Sequence, residues 1–309
     1  MHETQYYSRN GKGGITCKLC PRICTIEPGF CGFCGARGMP AGNTQKDEKL
    51  YTLNYGKIAA LSMDPIEKKP LYCFFPGSQI LSAGTFGCNL DCSFCQNSSL
   101  VCGGNDTGKR ENSFDMISEY ADSLEYVSPE ELCDAAALRQ DNLGLAFTYN
   151  EPSVWYEYVY DTSFLLKQKY PDKKAVLVSN GYINQEPLKN LLPFIDAVNF
   201  DLKGGDRFYR EICKGKQAYT AVRESIRTAA DAGCHIEISF LVIDGENSDA
   251  ETVTGIIDFI ASVNPEIPLH INRYFPRRFM TIPQTKRETL ESIYGQAKQK
   301  LKYVYLGNI

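Results

Sequence analysis

From Ile80 onward the chain alternates short apolar runs with longer amphipathic stretches, and this order leaves few folds open. Strand-like runs lie at 80–86, 145–149, 175–179, 197–202, 236–243 and 269–275, with helical patterns near 129–140, 153–169, 217–232, 249–262 and 286–301. Ser128, Pro129 and Glu131 mark a capped helix start between the first two strands. Strands that alternate with helices pair in parallel, because each crossover returns the chain to the same edge. The expected fold is therefore α/β, a partial (β/α)6 TIM-type barrel, with a last strand at 303–306. In such sheets the reactive site forms at the carboxyl ends of the strands.

Residues 1–75 differ from this core. They are rich in Cys, Gly and Pro and show no long helical pattern, so a Cys-rich amino-terminal extension is expected ahead of a barrel spanning 76–309. The net charge of -4 and the absence of a basic block give no indication of nucleic acid. No apolar run approaches a membrane span, and the first residues lack the order of a signal peptide. Thirteen cysteines in such a chain point to metal ligation in a reducing cytoplasm rather than to disulfides.

Cys88, Cys92 and Cys95 follow the first strand directly, spaced C-x3-C-x2-C. Three thiolates so close can hold three irons of a cubane cluster. The fourth iron is left without a local cysteine, open to a substrate or cofactor. A structural zinc site is normally closed by four protein ligands.

The later strands also end in polar chemistry. The second ends in Thr148-Tyr149-Asn150-Glu151-Pro152, the third in Ser179-Asn180-Gly181-Tyr182, and the fourth in Asp201-Leu202-Lys203-Gly204. The sixth carries His270, Asn272, Arg273 and Tyr274. Any one of these reads equally well as turn chemistry or a strand-end salt bridge. As an ordered set after the cysteine triad they resemble the radical S-adenosylmethionine (radical SAM) superfamily, in particular relatives of pyruvate formate-lyase activating enzyme. The segments LYTLNYGKIAALSMDPIEKKPLYCFFPGS, FTYNEPSVWYEYVYDT, LVSNGYI, FDLKG and LHINRYFP are similar to the subgroup of AmmeMemoRadiSam-system radical SAM enzymes.

That resemblance implies a [4Fe–4S] cluster on Cys88, Cys92 and Cys95. It implies S-adenosylmethionine bound at the open iron and cleaved by one electron to a 5'-deoxyadenosyl radical. Phe94 takes the aromatic position that packs near the adenine. Asn150 and Glu151 stand where the superfamily contacts the methionine amino group, and Ser179 and Asn180 where it faces the ribose and methionyl part. Asp201 and Lys203 match an Asp-x-Lys in which the lysine meets the methionine carboxylate and the aspartate can bind a cation. Val178 stands where activating enzymes often carry an acidic residue, and Asp244-Gly245 where many relatives have Pro-Gly. Relatives in the subgroup commonly continue past Gly307-Asn308-Ile309 into a short Cys-containing tail. The substrate implied is a glycyl-radical-type protein; an RNA, a peptide or a small metabolite stays open, as does a non-enzymatic electron-transfer or metal-binding module. No flavodoxin-like segment is present, so an external donor such as flavodoxin or ferredoxin is expected.

Cys17, Cys20, Cys24, Cys31 and Cys34 fall within eighteen residues. Cys17, Cys20, Cys24 and Cys34 align with a quartet common in the subgroup, with Cys31 as an extra or a substitute. A zinc knot and a second iron–sulfur cluster are equally compatible with the spacing. Cys133 and Cys234 read as small core residues; Cys102, seven residues beyond Cys95, reads as a redox-active thiol or, preferably, as a cysteine without a role. His270 and Arg273 are candidates to touch substrate, against the alternative of a structural histidine. The long connection 98–127 is either a lid or a surface excursion with a short helix, where Phe114, Met116 and Tyr120 offer apolar contacts.

Overall fold

The computed structural model describes residues 1–11, 13–42, 49–102 and 112–309. Its centre is an eight-stranded sheet. In chain order the strands are β1 (Ala60–Pro65), β2 (Gln79–Gly84), β3 (Asn142–Phe147), β4 (Lys174–Ser179), β5 (Ala197–Asp201), β6 (His235–Val242), β7 (Leu269–Arg273) and β8 (Val304–Gly307). Their spatial order equals their chain order. β2 to β8 run parallel, and β1 pairs antiparallel with β2 from Ala60↔Gly84 to Pro65↔Gln79. Among the described residues β1 and β8 do not pair with each other, so the sheet is open, as a partial barrel requires.

The expected parallel strands all form, with ends that agree to within three residues. β1 was not expected. Its sequence ALSMDP carries one Pro and alternating polar residues, which suits an exposed edge and gives little strand signal. It lies ahead of residue 75, so the sheet draws on both segments of the sequence. The helix start at Ser128 is as expected: its hydroxyl accepts from Glu131 N at 3.2 Å, and its amide donates to Glu131 Oε2 at 2.7 Å.

Side chains alternate across a strand, so each strand serves two environments. Ile236, Ile238, Phe240 and Val242 of β6 join Val253, Ile256, Ile257 and Ile260 of helix Ala250–Val263 in the main core. The opposite face is more polar and is covered in its amino-terminal half by the segment 66–74. Ile66, Leu71 and Phe74 pack there on Ile80, Ala146, Val176 and Ala197. Asn199 Nδ2 donates to Pro70 O at 2.8 Å.

Glu237, wholly buried on the same face, pins the segment. It accepts from Tyr72 N at 3.0 Å, Cys73 N at 2.7 Å, His235 Nε2 at 3.0 Å and His270 Nε2 at 2.6 Å. Burial pushes its carboxyl up. The bonds from His235, His270 and the Cys73 amide outweigh that and hold it at about 2, below the ordinary 4.5. Its stabilising contribution is therefore complete above pH 4.5 and is lost as the pH falls toward 2. The loss expected over that whole range is on the order of 3 kcal/mol. In Glu237→Gln the thermal midpoint should fall less between pH 5 and pH 3 than in the wild type. Equal falls would contradict this role.

The amino-terminal residues form two small antiparallel sheets. One joins His2–Glu3, Arg37–Gly38 and Tyr51–Thr52; the other joins Tyr7–Arg9, Ile15–Cys17 and Thr25–Ile26. A buried ion pair of Arg37 with Glu157 ties them to helix Tyr156–Lys169. No helix among the described residues is long and apolar enough to cross a membrane.

Candidate active site

The triad sits on the loop that leaves β2, and neighbours on several sides clamp that loop. Asn150 holds its start: Oδ1 accepts from Thr85 N at 3.1 Å, and Nδ2 donates to Phe86 O at 3.2 Å and Gly87 O at 3.0 Å. Cys34 holds its middle, because Cys88 N donates to Cys34 O at 3.1 Å. Gly87 is required here. Its φ is +89°, and a Cβ would stand 2.6 Å from Cys34 O. The far side is held by Asp91 N on Cys213 O at 2.9 Å, Ser93 N on Ile212 O at 3.0 Å and Phe279 N on Ser93 O at 3.0 Å. Arg278 completes the clamp, donating to Asp91 Oδ1 at 2.7 Å, Cys92 O at 2.9 Å and Cys102 Sγ at 3.4 Å.

Donors are aimed at the sulfurs. Cys88 Sγ accepts from Leu90 N at 3.4 Å and from Asn180 Nδ2 at 3.6 Å, and the Asn97 amide points at Cys95. A hydrogen bond with buried Cys213, and burial itself, push the Cys92 thiol far above its ordinary range. Burial pushes Cys95 up to about 11. Among the described residues no three His, Cys, Asp or Glu side chains close on a point that one metal ion could fill. Three cysteines on one pinned loop, with amide donors at the Cys88 and Cys95 sulfurs, fit a cubane cluster.

Lys203 lies against this loop. Its ammonium is 2.6 Å from Asp201 Oδ2 and 6.0 Å from the centre of the Phe94 ring, which packs on Phe208 at 5.7 Å. Burial works against the charged amine. Asp201 and the Cys92 and Cys213 sulfurs more than offset it, so the group is held well above its ordinary range. Tyr209 fixes the turn, accepting from Lys203 N at 3.0 Å and donating to Asp201 O at 3.1 Å.

Phe94, Asn180, Asp201 and Lys203 are thus gathered around the triad. Glu151 and Ser179 form a buried brace behind it. Ser179 donates to Glu151 Oε1 at 2.7 Å, while Asn180 N and Ser153 N donate to the same carboxylate at 2.7 and 2.9 Å. Tyr149, two residues before Glu151, has a φ of +71°, rare for a bulky residue. Its hydroxyl is fixed on Asp64 at 2.7 Å, and Asp64 is paired with buried Lys69 at 2.8 Å.

Cys17, Cys20, Cys24 and Cys34 line one small cavity of about 20 Å³, together with Arg22 and Arg37. Cys31 is apart from them, packed with Leu53, Phe86 and Phe114. His270 is a buried structural histidine on Glu237, and Arg273 donates to Thr285 O at 2.8 Å. Within 98–127, Phe114 packs inward from helix Phe114–Asp122, Met116 is exposed, and Tyr120 meets Phe86 edge-on at 5.3 Å. The part of that connection at 103–111 lies outside the described residues. Sequence reasoning missed Arg278, Asp91, Cys213 and Asn89. Arg278 stands in an ordinary Pro-Arg-Arg-Phe run nearly two hundred positions from the loop it holds, and nothing in its spacing announces the contact.

The chain matches the model of the Radical SAM superfamily over residues 83–255, from the end of β2 through the triad and the strand ends just described. It is 36% identical to an uncharacterized protein of Methanocaldococcus jannaschii, an alignment that covers 100% of this chain and 86% of that one. A radical SAM methyltransferase from Sphaerobacter thermophilus has the same fold, with a TM-score of 0.53 and 12% identity over 91% of this chain and 77% of that one. SuiB of Streptococcus suis is similar in two structures, each with a TM-score of 0.50 and 14% identity. Bound to S-adenosylmethionine it covers 74% of this chain and 52% of SuiB; bound to its precursor peptide SuiA it covers 73% and 47%. The chain therefore belongs to the radical SAM superfamily. It is an enzyme of that family, which sets aside a bare electron-transfer or metal-binding module, and membership implies a [4Fe–4S] cluster and S-adenosylmethionine.

Proposed function

We propose that this enzyme abstracts hydrogen from a polypeptide, with glycyl-radical-type proteins as the leading substrate class. The observation that carries the reading is the convergence of Phe94, Asn180, Asp201 and Lys203 on the loop of Cys88, Cys92 and Cys95. When bound, the [4Fe–4S] cluster and S-adenosylmethionine supply one-electron cleavage to a 5'-deoxyadenosyl radical. The resemblance to activating enzymes supports the substrate class, and so does the relative bound to a precursor peptide.

The chain's own residues bind and orient. Cys88, Cys92 and Cys95 hold three irons. Lys203, kept protonated and aimed by Asp201, is the partner for the methionine carboxylate. Phe94 offers an apolar ring beside the adenine. Asn180 faces the methionyl part, and Asn150, Glu151 and Ser179 act by holding the loops that present it. Cys17, Cys20, Cys24 and Cys34 form a second metal site. An external one-electron donor of the flavodoxin or ferredoxin class serves the enzyme, in a reducing cytoplasm.

The test is anaerobic binding and turnover. Lys203→Ala should weaken S-adenosylmethionine binding roughly 10- to 100-fold, the worth of one charge-assisted bond, and leave the cluster spectrum intact. Unchanged affinity would refute the carboxylate role. The wild-type enzyme, given labelled cofactor and candidate glycyl-radical proteins, should place a stable carbon-centred radical on the partner. Label confined to a small molecule, with no protein radical, would overturn the substrate class.

A further inference from the structure

Cys17, Cys20, Cys24 and Cys34 surround one cavity, with Val154 and Asn89 in its wall. Zinc in a four-cysteine site lies about 2.3 Å from each sulfur, which draws all four sulfurs to a single point. Four cysteines around one cavity supply the ligands for either centre, and the contact of this quartet with the triad loop is what favours a redox-active one. The sulfurs are also supplied with donors. Arg37 Nη1 is 3.6 Å from Cys17 Sγ. The amides of Arg22, Phe33 and Ala36 point at Cys20, Cys24 and Cys34. Hydrogen bonds to cluster sulfurs raise a reduction potential.

The quartet also touches the triad. Cys34 is a quartet residue whose carbonyl accepts the amide of Cys88, a triad residue, at 3.1 Å, and Gly87 keeps that approach free of a side chain. A second route runs from Asn89 in the cavity wall to Asn180 at 2.9 Å, and from Asn180 to Cys88 Sγ at 3.6 Å. On the outer side Ile23 is exposed and Cys24 half-buried, so the quartet faces solvent where an electron donor can approach.

We propose that Cys17, Cys20, Cys24 and Cys34 hold a second [4Fe–4S] cluster rather than zinc, and that it relays single electrons to the triad through the Cys34–Cys88 contact. The inference rests on the reading of the triad as a cluster site. The balance is simple. A reduced flavodoxin- or ferredoxin-class protein loses one electron, the quartet cluster gains it, and the quartet is reoxidised when the triad cluster takes that electron. No bond forms or breaks and no atom moves.

The test is metal analysis with electron paramagnetic resonance after anaerobic reconstitution. The wild type should bind about eight irons and eight sulfides per chain. The triple variant Cys88→Ala, Cys92→Ala, Cys95→Ala should keep about four of each, with a reducible cluster signal. A quartet-free variant, Cys17→Ala, Cys20→Ala, Cys24→Ala, Cys34→Ala, isolates the other site. No iron there, with iron kept in the triad-free variant, would refute the triad reading and leave the quartet cluster standing. Zinc, or no metal, in the triad-free variant would overturn the quartet cluster. Should either variant fail to fold, about four irons with one zinc in the wild type would overturn it equally. The relay is tested in the fully reduced wild type, where two clusters in contact should broaden each other's signals. A wild-type spectrum equal to the sum of two unperturbed clusters would overturn the relay.

Discussion

Cys88→Ala, Cys92→Ala and Cys95→Ala should each reduce S-adenosylmethionine cleavage to background in reconstituted, reduced enzyme. The reason is the donor set. Three thiolates leave one iron open, and removing any one of them leaves two, too few to hold a cubane with a defined open corner. The loop itself should survive each change, because its clamps are backbone contacts with Cys34, Ile212, Cys213 and Phe279 and the Arg278 fork on Asp91 and Cys92 O. The expected result is therefore a folded protein with unchanged far-ultraviolet circular dichroism that yields no 5'-deoxyadenosine. Cleavage persisting at the wild-type rate in all three variants would remove the basis of the active-site assignment.

The parts of this site legible in the sequence were those in which chemistry is local. The triad is one short run, and Asp201-Leu202-Lys203 is one strand end, so spacing alone brings their side chains together. The parallel sheet was legible because the period of apolar residues switches repeatedly between strand and helix. What stayed hidden depends on contacts across long separations. Cys213 meets Cys92, and Arg278 meets Asp91, only because loops after different strands converge. Glu151 and Ser179 illustrate the opposite limit. Their positions at strand ends suggest ligand contacts, yet they bond each other and the Asn180 amide, so they shape the site from behind. His270 likewise sits on a strand facing the polar side of the sheet, where Glu237 takes it up as part of the anchor for the segment 66–74. β1 was hidden because an edge strand needs no continuous apolar pattern.

The second large effect is expected at Arg37 and Glu157, each about 1% exposed and paired side chain to side chain. Removing one partner strands the other as an unpaired buried charge, so Arg37→Met should cost about 3–5 kcal/mol. Replacing both by Met should restore most of that, because the desolvation of two ions is then avoided. The recovery stops short of complete for a stated reason. Glu157 Oε1 also accepts Gln5 N at 2.8 Å, and Arg37 also donates to Gln5 O at 3.2 Å, so the double variant leaves two backbone groups to find other partners. Each is worth about 1–3 kcal/mol if left unpaired. Denaturant midpoints should rank wild type above the double variant and the double variant above Arg37→Met. A double variant as unstable as the single one would show that the ion pair is not the main tie between the amino-terminal sheets and helix Tyr156–Lys169. The same pair of variants separates structure from electronics. Both lack the Arg37 donor to Cys17 Sγ, so the reduction potential of a cluster on the quartet should fall in both, while stability recovers only in the double variant. A potential that returned together with stability would mean that Arg37 acts on the quartet through the fold and not through its hydrogen bond.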